Sequence, residues 1–109
     1  MRRPHAYSRE TTEGAKLLGV EIARARRARR WTSAELAERA GISRTTLSAL
    51  EHGTPTVALG VVLEVAGLVG LDLFGAEPSG LTERLEHART RLALLPRAVR
   101  RRADIDTDF

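Results

Sequence analysis

Leu18, Ile22 and Ala25 recur at intervals of four and three, the period of one helix face, and the same stretch leaves Arg24, Arg27 and the Arg29–Arg30 pair to solvent. This predicts a first helix from about Thr11 or Thr12 to Arg30. Residues 1–10 lack periodicity and contain Pro4, and they read as a basic N-terminal arm. Thr32-Ser33-Ala34-Glu35 has the form of a capping box, in which the hydroxyl takes the amide three residues on and the glutamate reaches back. A second helix therefore starts there, runs through Leu36, Ala37 and Ala40, and stops at Gly41, which can take the left-handed conformation that ends a helix. Ser43 offers the next N-cap, and the third helix carries Leu47 and Leu50 inward before Gly53. After Pro55, the residues Val57, Val61, Val62, Val65, Ala66 and Val69 predict a helix apolar on most sides that closes the core. Gly70 to Phe74 then predicts a turn and a last short helical element, with Leu71, Leu73 or Phe74 packed beneath. Residues 75–80, GAEPSG, are a linker by composition. Leu81, Leu85, Ala88, Leu92 and Leu95 form the stripe of a further helix from about Leu81 to Leu94, which Pro96 breaks. The expected organisation is an arm (1–10), an all-α domain (11–74), a linker (75–80), a C-terminal helical extension (81–103) and an acidic tail (104–109).

Two short helices joined by a glycine turn, with the small Ala37 where their axes cross closely, make a helix-turn-helix. In this motif the second helix lies in the major groove of double-stranded DNA with its N-terminal residues at the base edges. Its outward face must then be short, polar and free of acid. Ser43, Arg44, Thr45, Thr46 and Ser48 meet those conditions.

The charge pattern points the same way. Residues 1–31 hold nine basic and three acidic groups, residues 32–74 two and five, and residues 75–109 seven and six, within a net charge of +4. A basic end suits a polyanion. Hydrophobic residues make up 42% of the 109, charged ones 29% and aromatic ones only 4%, so one small domain with an aliphatic core is expected. The absence of cysteine excludes disulfides, thiolate metal sites and cysteine nucleophiles together. His5, His52 and His87 fall in an arm, a helix end and a surface helix. The pairs Glu51-His52 and Glu86-His87 are sequence neighbours that diverge on a helix. No catalytic residue, metal ligand or cofactor site is expected, and the protein is not read as an enzyme. The longest apolar run, Val57 to Phe74, is interrupted by Glu64, Asp72 and three glycines, so no membrane span is expected. MRRP is not followed by an apolar stretch, so no export signal is read and the cytoplasm is the expected location.

The stretch LGVEIARARRARRWTSAELAERAGISRTTLSALEHG, with its continuation to Phe74, resembles the Xre/Cro-type helix-turn-helix family of phage repressors and bacterial regulators. The resemblance implies a five-helix lambda-repressor-like helix-turn-helix domain, here with an N-terminal arm, an additional C-terminal helix and a short acidic tail. It implies an ion pair between Arg26 and Glu51 that bridges the first and third helices. It places Arg44, Thr45 and Ala49 at base-reading positions, with Arg44 suited to a bidentate contact to guanine. Ser43, Thr46 and His52 fall where phosphate contacts are common, and Ser48, Arg27 and Arg30 add to the backbone-contacting surface. Ser33 stands where many members carry a glutamine that clamps a phosphate, so its side chain reaches less far.

The arginine-rich first helix, the segment GVVLEVAGLVGLDLF and the ending LLPRAVRRRADIDTDF resemble HipB-type antitoxins. That second resemblance implies a homodimer on a palindromic operator that represses its own operon. It also implies a HipA-like serine/threonine kinase toxin as partner, with Asp104, Ile105, Asp106, Thr107, Asp108 and Phe109 as a toxin-binding tail. Two other readings stay open: an independent Xre-family repressor without a toxin partner, and an adaptor that binds only protein. Salt separates the adaptor from the DNA binders, because displaced counterions make DNA affinity fall steeply as salt rises.

Overall fold

The computed structural model describes residues 6–75 and 77–99, so the first five residues of the arm, the cluster Arg100 to Arg102 and the tail from Asp104 to Phe109 lie outside the described residues. Among the described residues the fold is all-α, with helices α1 (Arg9–Ala28), α2 (Ser33–Ala40), α3 (Arg44–Glu51), α4 (Leu59–Leu68) and α5 (Leu81–Ala93), and a 3₁₀ turn at Pro78–Gly80. The chain divides into two compact units, one ending at Phe74 and the other beginning at Gly75.

In the first unit α1 and α2 both pack on α3, and α4 packs on α2. Ile22, Ala25, Leu36, Ala37, Leu47, Leu50, Val65 and Val69 form the buried centre, and Leu18, Trp31, Val61, Val62 and Leu71 pack partly against it. Helix α1 starts at Arg9, two or three residues before the expected Thr11 or Thr12, because the Ser8 hydroxyl accepts a hydrogen bond from the Thr11 amide (3.2 Å). At α2 the capping box is complete. The Glu35 amide donates to the Thr32 hydroxyl, and the Glu35 carboxylate accepts from the Thr32 amide at 2.8 Å. That amide, then the Thr32 hydroxyl and the nearby charge of Arg39, hold the Glu35 carboxyl below its ordinary range.

The helices of the first unit end alike. In each, the first residue past the last turn has a positive φ and the next amide reaches back five residues: Trp31 to Arg26, Ile42 to Ala37, Thr54 to Ala49 and Leu71 to Ala66. At three of the ends the left-handed residue is glycine (Gly41, Gly53, Gly70), and at α1 it is Arg30, with φ 62°. A side chain in this conformation costs about 1 kcal/mol or more. Arg30→Gly should therefore raise the stability of the first unit by about 1 kcal/mol, read as a higher melting temperature. A lower melting temperature would mean that the Arg30 side chain makes compensating contacts.

Two expectations for the end of the first unit are corrected. Helix α4 is shorter than the apolar run, leaving Val57 before it and Val69 as its C-cap. The stretch Gly70 to Phe74 forms no helical element. The Asp72 carboxylate accepts the Phe74 amide (3.1 Å), a local turn that competes with helix formation, and only Leu71 packs on the core while Leu73 and Phe74 are exposed. In the second unit the expected linker closes in the 3₁₀ turn that leads into α5, and every residue of α5 is exposed.

Candidate nucleic-acid interface

Helix α3 is presented by its two neighbours. Gly41 (φ 71°) ends α2 and turns the chain, and Ser43 caps α3, its hydroxyl accepting the Thr46 amide (3.0 Å) and donating to the Thr46 hydroxyl (2.9 Å). Leu47 and Leu50 point into the core, so Arg44, Thr45 and Ser48 face outward. Together with Ala49 and with Ser33 from the start of α2, they line an open depression of about 560 Å³. No lining residue is acidic. The structure thus brings Ser33, Arg44, Thr45, Ser48 and Ala49 to one surface. A face of this kind suits base edges and phosphates, which offer mostly acceptors to a guanidinium and to hydroxyls.

The other expected contact residues lie around this surface. Ser43 and Thr46 bond to one another as described. His52 is exposed, with its Nδ1 2.7 Å from the Ser48 carbonyl oxygen and 3.3 Å from the Ser48 hydroxyl. Arg27 and Arg30 are exposed at the end of α1 and do not line the depression.

The orientation of α3 depends on Arg26. Its Nε donates to one oxygen of Glu51 (2.8 Å) and its Nη2 to the other (3.1 Å), while Nη1 donates to the Trp31 carbonyl (3.0 Å). One guanidinium therefore ties α1 to the end of α3 and to the α1–α2 turn. The paired side chains are only 9% and 11% exposed. The hydrogen bonds that Arg26 donates to Glu51, backed by the carboxylate charge and opposed by burial, raise the Arg26 pKa further above its usual value.

Three residues with structural roles escaped the sequence reading. Arg29, expected to point to solvent, donates its Nε to the Val69 carbonyl (3.1 Å), placing a cation at the C-terminal end of α4. Trp31 is covered by two guanidiniums, that of Arg39 at 4.4 Å and that of Arg29 at 5.4 Å from the ring centre. Gly19 passes so close to the end of α3 that a Cβ there would lie 2.5 Å from the Leu50 carbonyl oxygen. Val69, the hydrogen-bond partner of Arg29, is distant in sequence, and a glycine between Leu18 and Val20 carries no pattern that marks a crossing.

Among the described residues no group of histidine, aspartate and glutamate side chains draws together as a metal site would require, and no helix is long and apolar enough to cross a membrane. Residues 17–77, more than half of the chain, match the family model of a helix-turn-helix domain. No curated protein and no solved structure matches the chain.

Proposed function

Because the chain belongs to the helix-turn-helix domain family, we propose that it is a sequence-specific repressor that reads a palindromic operator as a homodimer and performs no catalysis. The observation that carries this is the acid-free surface where Ser33 of α2 meets Arg44, Thr45, Ser48 and Ala49 of α3. In this reading Arg44 and Thr45 reach base edges, with Ala49 one turn further along the face. Ser33, Ser43, Thr46, Ser48, Arg27 and Arg30 hold the phosphates. His52, exposed at the C-terminal end of α3, joins them. The eight residues of α3 serve one half-site, which supports a dimer. Helix α4 has an outer face for one, with Leu59 exposed and nothing within contact distance of a side chain placed at Gly60 or Gly67.

The expected result with DNA is specific to residue type. Arg44→Ala should weaken operator binding by about 1–3 kcal/mol and relax the preference at one base position in each half-site. Arg27→Ala should weaken all sequences alike and reduce the salt slope by about one. Fluorescence anisotropy with the operator and a scrambled duplex, across a salt series, measures both quantities. An Arg44→Ala protein with an unchanged specificity ratio would remove α3 as the reading helix.

We further propose that the protein is the antitoxin of a toxin-antitoxin operon and binds a HipA-like serine/threonine kinase through residues 104–109. This rests on the resemblance of the segments flanking the DNA-binding motif to HipB-type antitoxins. Copurification with a kinase encoded beside it, lost on deletion of Asp104 to Phe109, is the supporting result; an independent repressor would purify alone and still bind its operator.

A further inference from the structure

Along α5 the residues Leu81, Leu85, Ala88 and Leu92 alternate steps of four and three, and Leu95 continues the seam in the turn after the helix. The seam is open to solvent, with Leu85 51% and Leu92 70% exposed. A helix of thirteen residues without a packed face is marginal in water, so a partner that covered the seam would stabilise it. The residues bordering the seam are of one sign. Arg84 and Arg91 lie along one side and Thr82 and Arg89 along the other, while Glu83 and Glu86 stand on the back of the helix. At its C-terminal end the seam opens into a depression of about 470 Å³, lined by Leu92, Ala93, Leu95 and Pro96 together with Arg89 and Arg97.

We infer that α5 is a docking helix for a partner protein whose apolar groove is rimmed by aspartate and glutamate. A second α5 does not fit the seam. Paired in parallel it would set Arg84 against Arg89, and in antiparallel Arg84 against Arg91, so either register apposes like charges. The seam also spans only about two heptads, whereas a coiled coil needs about three or four, and two such stripes fall short of the roughly 800 Å² per partner of a stable interface. A groove reaches that area with the same short helix because it encloses the flanks as well as the seam. An acidic rim then meets Arg84, Arg89, Arg91 and Arg97. This assignment depends only on α5 and stands whether or not the first unit reads an operator.

The test uses the full chain and two synthetic helical-hairpin peptides that each present an apolar groove between their helices, one with the groove rimmed throughout by glutamate and the other by lysine. Calorimetric titration should show the acidic peptide binding at least about tenfold more tightly, with the difference shrinking as salt is raised. The triple variant Arg84→Glu, Arg89→Glu, Arg91→Glu should reverse the preference, and Leu85→Ser with Leu92→Ser should abolish binding of both peptides. Equal affinity for the two peptides, or no binding of either, would overturn the inference. Self-association of the full chain that the two serine substitutions abolish would assign the seam to a second copy. Binding of the acidic peptide only after removal of residues 104–109 would assign it to the chain's own acidic end.

Discussion

Replacing Gly19 with alanine should cost the first unit about 3 kcal/mol or more, a large share of the stability of a domain this small. The added Cβ would lie 2.5 Å from the Leu50 carbonyl oxygen, 2.6 Å from that of Glu51 and 2.8 Å from the Glu51 carbonyl carbon. All three are backbone atoms at the end of α3, so no side chain can swing aside. Retreat of α3 would also pull Glu51 from Arg26, which holds it by two hydrogen bonds. The helix propensity gained by exchanging glycine for alanine is only about 1 kcal/mol, too little to offset such a clash. Gly14 on the same helix supplies the control. A Cβ there meets nothing within 4 Å, so Gly14→Ala should stabilise by up to about 1 kcal/mol. Denaturant unfolding of both variants decides the matter; a Gly19→Ala protein as stable as the parent would mean that α1 and α3 are further apart than described.

Arg26→Ala and Glu51→Ala should each lower stability by about 3 kcal/mol, because removing one partner strands the other in a largely buried place. Without Glu51 the guanidinium keeps only the Trp31 carbonyl; without Arg26 a carboxylate and that carbonyl both lose their donors. The loss should fall on folding rather than on reading of bases, since neither residue lines the depression at α3. Arg26→Lys should recover little, as an ammonium cannot span both oxygens of Glu51 and the carbonyl with the geometry of a planar fork. Thermal melts in parallel with operator titrations separate the two effects. A variant that melts like the parent but no longer binds operator would move the pair from the scaffold to the interface.

The features that were legible in the sequence are those whose cause lies within a few residues. The capping box at Thr32 and Glu35, the left-handed Gly41 and the cap at Ser43 each depend on partners no more than three or four positions away, and they frame α2 and α3 closely. The polar face of α3 follows from the same framing, because the inward positions are claimed by Leu47 and Leu50. Arg26 and Glu51, 25 positions apart, were paired by resemblance and not by any local pattern. Arg29 and Val69 are 40 apart, and nothing in a basic run distinguishes the arginine that turns back onto a helix end from those that stay in solvent. The apolar residues from Gly70 to Phe74 suggested burial by composition, but the Asp72 side chain captured a backbone amide there and closed a turn instead. Ser8 was hidden in a stretch dominated by charge and proline, although a hydroxyl before a helix needs no more than a free amide to cap it.

The Arg39–Trp31–Arg29 stack has an optical consequence. Trp31 is the single tryptophan of the chain, and its carbonyl is held by the guanidinium that also holds Glu51. Its indole lies under cations from the C-cap of α1 and from α2, half-shielded from water at the junction on which α3 is hung. Intrinsic emission excited at the indole therefore reports on that junction alone, without a dye, and loss of the stack on unfolding hydrates the ring and moves its emission to longer wavelength. The second unit, which contains no tryptophan, is silent in the same measurement, so the first unit can be followed by its own light within the intact chain.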